Sequence, residues 1–172
     1  MKRLNKAGFT LIELLAVITI MGILMMVAIP SVSRTIENSR RDTFADNALT
    51  YVNTVRNAVM ADEISCDGTT ASATANGTYH FIIDTNDQQT KDLMEKVALS
   101  SWGSAEIKGY VKWVKTTNTT TGRTTTVYSV RLADTGNHGF KEEVSEKDVS
   151  RAKIFTEGAV CSGATGTACT LK

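Results

Sequence analysis

The stretch GFTLIELLAVITIMGILMMVAIP, Gly8 to Pro30, decides how the chain is read. It is an apolar run interrupted by one ionisable side chain, Glu13, and preceded by Lys2, Arg3 and Lys6. At ~1.5 Å per residue, a helix of about twenty such residues crosses the ~30 Å hydrocarbon core of a bilayer. The basic residues ahead of it favour a cytoplasmic N-terminus, with the rest of the chain outside. A secretory signal peptide has a shorter apolar core, roughly 7–15 residues, and a small-x-small cleavage site beyond it. Here the run is longer and passes through Pro30 into a charged segment with no such site. Ala7 and Gly8 are the small residues on its cytoplasmic side, and cleavage there would leave the apolar segment on the mature protein, beginning at Phe9. An uncleaved signal anchor is the bland alternative.

Glu13 is the costly residue. Charged groups at the centre of a span cost ~2.5–3.5 kcal/mol, less nearer an end, and an ionisable residue kept there is a candidate functional site. No Lys or Arg lies within the span to pair with it. After cleavage the nearest cation would be the amine of Phe9, one helical turn away, or the same group on a neighbouring chain. Pairing a buried charge recovers much of its desolvation cost, so Glu13 is expected to hold subunits in one axial register. Pro30 lacks the N–H that would bond to the Met26 carbonyl, and its ring clashes there. Gly22 adds backbone freedom worth roughly 0.5–1 kcal/mol relative to Ala. A kink or a locally melted stretch between Gly22 and Pro30 is therefore expected.

In order and spacing, KAGFTLIELLAVITIMGILMMVAIP resembles the N-terminus of a type IV prepilin: a short basic leader, a Gly-Phe junction, Thr-Leu-Ile-Glu, an apolar helix and a proline. The resemblance covers the first thirty of 172 residues. It implies cleavage between Gly8 and Phe9 by a membrane-embedded prepilin peptidase, N-methylation of Phe9, and a leader comprising residues 1–8. It marks Glu13 as the family's charged position and Gly22 to Pro30 as the segment that loosens in filaments. The short leader is similar to those of type IVa pilins and of type II secretion pseudopilins.

Beyond Pro30 the chain reads on its own terms. From Ser31 to Glu63 there is no glycine or further proline. Ala45, Ala48, Val52, Val55 and Val59, with Leu49 beside them, recur at steps of three and four, the stripe of an amphipathic helix. Residues 9–30 and 31–63 are thus expected to form one helix of about fifty residues, far longer than a globular helix. Residues 64–172 are expected to form a head. In it Ile64 to Gly77 reads as a loop, Thr78–Ile83 as a strand, and Asp87–Ala98 as a helix burying Leu93, Met94 and Val97. Lys108–Lys115 and Thr124–Leu132 read as a hairpin, with Thr126, Tyr128, Val130 and Leu132 on one face. A third strand comes from Ile154–Val160 or from near Val144. A long N-terminal helix packed on a small antiparallel sheet is an α+β fold, and the resemblance implies the same pilin-like arrangement.

Cys66, Cys161 and Cys169 lie in the segment placed outside the membrane, where disulfides form. Cys161 with Cys169 would close a short C-terminal loop, similar in placement to that of many type IV pilins. Cys66 with either of them is the rival, since connectivity does not follow from sequence. Asp134, Asn137, Glu142 and Glu143 gather oxygen ligands that could hold calcium, as a late loop does in the major pseudopilins, but turn chemistry explains them equally. His80 and His138 sit in no nucleophile or metal motif, so no catalysis and no cofactor is expected. Asn76 and Asn118 each begin an N-x-T triplet that fits a glycosylation acceptor, but threonine-rich loops often produce such triplets and bacterial exported proteins seldom use them. The net charge of +1 does not point to nucleic acid as an obligatory partner, although Lys108, Lys112, Lys115 and Arg123 gather near the hairpin.

The implied partners are other copies of the chain in a helical polymer, the prepilin peptidase, the pilus assembly machinery, and membrane lipid before assembly. The implied route runs from a single-pass precursor in the cytoplasmic membrane to an extracellular filament. The rivals are a type II secretion pseudopilin and a single-span surface receptor that never polymerises.

Overall fold

The computed structural model describes residues 10–66, 76–94, 106–136, 138–156 and 164–172. The chain divides into two compact units, residues 1–39 and 40–172. In the first, every described residue from Thr10 to Ile36 is exposed. All from Leu11 onward belong to α1 (Leu11–Met60). This helix continues through Gly22 and Pro30 without a break, so the expected melted stretch is absent from the single chain. One proline removes one intrahelical hydrogen bond. Unwinding a turn would free several backbone groups at once, which an apolar surrounding cannot satisfy.

In the second unit the remainder of α1 becomes amphipathic. Phe44, Ala45, Ala48, Tyr51, Val52, Thr54, Val55 and Ala58 are buried, whereas Leu49 and Val59 are partly exposed. The helix ends in a Schellman motif: the Glu63 N–H donates to the Ala58 carbonyl (2.9 Å) and the Asp62 N–H to that of Val59 (3.3 Å). Asp62 takes the left-handed position, φ 58°, where glycine is usual. Its carboxylate holds Lys172 Nζ at 2.8 Å.

The sheet contains β1 (Ile64–Cys66), β2 (Gly77–Asp84), β3 (Ile107–Thr117), β4 (Thr124–Asp134), β5 (Gly139–Phe140), β6 (Val144–Ser145), β7 (Ile154–Phe155) and β8 (Thr167–Leu171). Its order is β1-β8-β2-β3-β4-β5-β7, with β6 also on β4. A short helix, α2 (Gln88–Met94), follows β2. The central β2-β3-β4 meander carries the core: Phe81, Ile83, Val111, Trp113, Tyr128, Val130 and Leu132 join the buried face of α1. Thr126 of the expected apolar face is exposed. Tyr79, Trp113 and Tyr128 stand opposite one another on adjacent strands. Their rings stack at 5.7 and 6.4 Å, and the Arg56 guanidinium lies 4.6 Å over Tyr128. Such cross-strand aromatic pairs stabilise a sheet beyond their buried area. Gly109, φ 150°, permits the close approach of β3 and β4, since a β-carbon there would lie 2.1 Å from the Arg131 carbonyl oxygen.

The structure differs from these expectations, or adds to them, at four points. Ile64–Cys66 is a strand rather than the start of a loop, and Thr167–Leu171 is a strand that the reading did not include. The sheet is mixed, because β8 runs parallel to β2 and antiparallel to β1. Of the pairings left open, the disulfide is the one that joins Cys66 to Cys169, rather than Cys161 to Cys169. The cause is register: β1 and β8 place Cys66 directly opposite Cys169, with Cα atoms 4.1 Å apart. Cys161 lies outside the described residues, as do Val97 and the side chain of Met94.

Candidate functional site

The site begins at the first turn of α1. Thr10 precedes the helix and Glu13 is its third residue. Glu13 Oε2 accepts hydrogen bonds from the Thr10 N–H (2.8 Å) and the Thr10 hydroxyl (2.7 Å). The Glu13 N–H donates back to Thr10 Oγ1 (3.3 Å). This is a reciprocal capping box, which satisfies donors that every helix N-terminus leaves open. It also sets a negative group at the positive end of the helix dipole. The expectation that Glu13 lacks a partner in its own span is therefore corrected: the N-cap supplies donors to one of its two oxygens. The signal was present in the sequence as Thr-x-x-Glu ahead of an apolar run. Among the described residues Glu13 Oε1 accepts no hydrogen bond.

Past this cap the helix presents a long apolar surface. Leu11, Ile12, Ile23, Met26 and Val27 are each at least two-thirds exposed. Leu14, Leu15, Val17, Ile18, Ile20, Met21, Leu24, Met25 and Ile29 are exposed too. Soluble monomers rarely leave apolar patches above a few hundred Å² uncovered. The helix is long and apolar enough to cross a membrane, and it lies near the N-terminus. A β-carbon at Gly22 would meet nothing within 4 Å.

Residues 3–29 match the family model for the prokaryotic N-terminal methylation motif. The chain carries the prepilin signature of type IV pilins and pseudopilins. Neither a curated protein nor a solved structure matches it. The prepilin signature implies processing by prepilin peptidase and assembly into a pilus or pseudopilus, as a structural subunit. The apolar helix fits insertion of the precursor in a membrane. Gly8 and Phe9, the expected processing pair, lie outside the described residues.

The other candidates fall elsewhere, in the second unit of the chain. Asp134 Oδ1 accepts the His138 N–H at 2.7 Å, and its Oδ2 lies 3.4 Å from His138 Nδ1, both side chains being buried. Asp134 thus folds the β4–β5 turn, whereas Glu142 is exposed and Asn137 lies outside the described residues. Among the described residues no group of three or more His, Cys, Asp or Glu could hold a metal ion. His80 is buried, and burial holds its imidazole below the ordinary range.

The lysines of the expected basic patch are engaged. Lys108 pairs with Asp84 at 3.3 Å. Lys112 pairs with Glu143, which also accepts the Ser129 hydroxyl at 2.7 Å. Burial pushes the Glu143 carboxyl up, but the Lys112 and Ser129 hydrogen bonds and the lysine charge outweigh it, leaving it below the ordinary range. Glu143 was not singled out for this role by sequence, because Lys112 and Ser129 meet it through strand register alone. Two further ion pairs, Arg56–Glu146 and Asp42–Arg151, tie the 3₁₀ turns at Glu146–Asp148 and Arg151–Lys153 to α1.

Proposed function

We propose that this chain is a structural subunit of a type IV pilus, without enzymatic activity. It polymerises through its N-terminal helix into a surface filament for adhesion, motility or biofilm formation. The observation that carries the reading is the capped apolar stretch of α1, exposed from Leu11 to Ile36 and bearing the methylation motif. Such a surface is covered either by lipid or by copies of itself. Both surroundings are apolar, so transfer from one to the other costs little hydrophobic free energy.

Residues 1–8 act as a leader removed between Gly8 and Phe9, and Phe9 is then N-methylated. Residues 9–30 lie in the membrane and later in the filament core. Residues 31–63, helical as far as Met60, lead into the head, residues 64–172. Glu13 sets the axial register: Thr10 occupies Oε2, which leaves Oε1 to accept the amine of Phe9, its own or a neighbour's. Gly22 and Pro30 give the segment compliance when subunits pack. The precursor is a single-pass protein of the cytoplasmic membrane with its N-terminus inside, and the mature protein is extracellular.

Intact mass of protein recovered from sheared surface filaments tests the reading. A chain beginning at Phe9 with one added methyl group supports it. Protein found in membranes alone, still carrying Met1–Gly8, would refute it and leave the anchored receptor. Processed protein that never reaches a surface filament would transfer the assignment to a pseudopilus.

A further inference from the structure

Two N-x-T triplets occur in the chain, and the fold treats them differently. Asn76-Gly77-Thr78 runs into β2, where Thr78 is paired with Val114. The Thr78 carbonyl also lies against Gly166, so close that a β-carbon there would approach it to 2.6 Å. Gly77 and Thr78 of that triplet are thus held in the sheet, with Asn76 at its entry. Asn118-Thr119-Thr120 instead forms the tip of the β3–β4 hairpin, with all three residues exposed.

At the tip the local geometry is specific. The Asn118 N–H donates to the Arg123 carbonyl (2.9 Å), and the Asn118 carbonyl accepts the Gly122 N–H (2.8 Å). Gly122, φ 66°, ends the turn in the left-handed conformation. Asn118 Oδ1 accepts the N–H groups of Thr120 (2.9 Å) and Thr121 (3.1 Å). Every polar group of Asn118 is thus engaged except the side-chain nitrogen, which has no partner among the described residues. The carboxamide is planar, so fixing Oδ1 against the turn directs Nδ2 away from it. The two donors on Oδ1 also draw charge to oxygen and make the Nδ2 protons more acidic. No Asp or Glu occurs from Ile107 to Ala133, and Arg123 closes the same turn. An anionic diphosphate would meet no acidic neighbour along the hairpin sequence and would find a bidentate partner in Arg123.

We propose that Asn118 is an N-glycosylation site, accepting a sugar from a lipid-carried glycosyl diphosphate. Asn118 Nδ2 forms a bond to the anomeric carbon, and the bond from that carbon to the diphosphate oxygen breaks. The diphosphate leaves with the electron pair, and one amide proton passes to a base of the transferase. The site rests on export of the head but not on its assembly into a filament.

The test is mass spectrometry of peptides from the protein purified from its native cells, with membrane and filament fractions analysed separately. A sugar mass on Asn118 and none on Asn76 is expected. Asn118→Asp keeps an acceptor for the Thr120 and Thr121 N–H groups but removes the nucleophile, and should abolish the modification completely. Thr120→Val should abolish it as well, whereas Thr119→Val, at the free middle position, should leave it intact. An unmodified Asn118 in the wild-type protein overturns the proposal, as does a sugar on hairpin threonines that survives in Asn118→Asp. Sugar-free filaments would overturn this inference and leave the pilin reading standing. Glycosylated protein confined to membranes would do the reverse.

Discussion

Breaking the Cys66–Cys169 bond should remove a large share of the stability of the head. The cross-link spans 103 residues, from β1 to β8, the last strand. Closing a loop of that length in the unfolded chain is worth about 4.7 kcal/mol in the chain-entropy model, whereas the short Cys161–Cys169 loop would be worth about half as much. Measured losses on removing native disulfides are typically 2–5 kcal/mol, so a loss of about 4 kcal/mol is expected in Cys66→Ser and Cys169→Ser. The fold adds a local consequence: β1 pairs with β8, so the bond also pins the strand contact that holds β1 in the sheet. Urea unfolding of the full chain in mild detergent, followed by Trp fluorescence, reads this out, since Trp113 is fully buried. Cys161→Ser should behave like wild type. Peptide mapping without reductant should recover Cys66 linked to Cys169. Equal destabilisation by Cys161→Ser and Cys169→Ser, with no effect of Cys66→Ser, would refute the pairing and the strand register behind it.

Other consequences are equally direct. Thr10→Ala removes the cap hydroxyl that binds Glu13, at a cost of about 1 kcal/mol. Amide exchange at Glu13 in detergent should quicken by about five-fold, and unchanged exchange would argue against the capping box. Gly109→Ala should destabilise the head by about 2–4 kcal/mol, because both its φ and the Arg131 carbonyl oppose a side chain. Gly122→Ala, with open space around it, should cost nearer 1–2 kcal/mol, about the penalty of the left-handed conformation alone. Urea midpoints that fail to separate the two would refute the close approach of β3 and β4. Glu143 is held below its unfolded pKa, so its contribution is complete above the unfolded carboxylate range, near about 4.3, and disappears as pH falls through the folded value. Glu143→Gln should therefore flatten the acid side of the stability profile, a change measurable by thermal melts between about pH 3 and 6.

Much of the site was legible in the residues because its determinants are local. The apolar run, the Gly-Phe junction, Glu13 and the helix stripe at Ala45, Ala48, Val52 and Val55 each depend on neighbours within a few positions. So does the hairpin built around Asn118 and Gly122. The capping box was legible too, as Thr-x-x-Glu, although a search for a charged partner passes over it. Hydrogen bonds to a carboxylate need donors, not cations.

What the sequence by itself determined is therefore the N-terminal helix, the methylation motif upon it and the α+β class. Those follow from periodicity and from the length of the apolar run. The tertiary structure alone decided the mixed sheet, the insertion of β8 between β1 and β2, and the pairing of Cys66 with Cys169. It also decided the meeting of Glu143 with Lys112 and Ser129. These contacts join residues far apart in the chain, and nothing local in Ile64–Cys66 or Thr167–Leu171 names its partner. Strands so short acquire their identity from the sheet edge they complete, because their hydrogen bonds and buried side chains exist only once the rest of the core is formed.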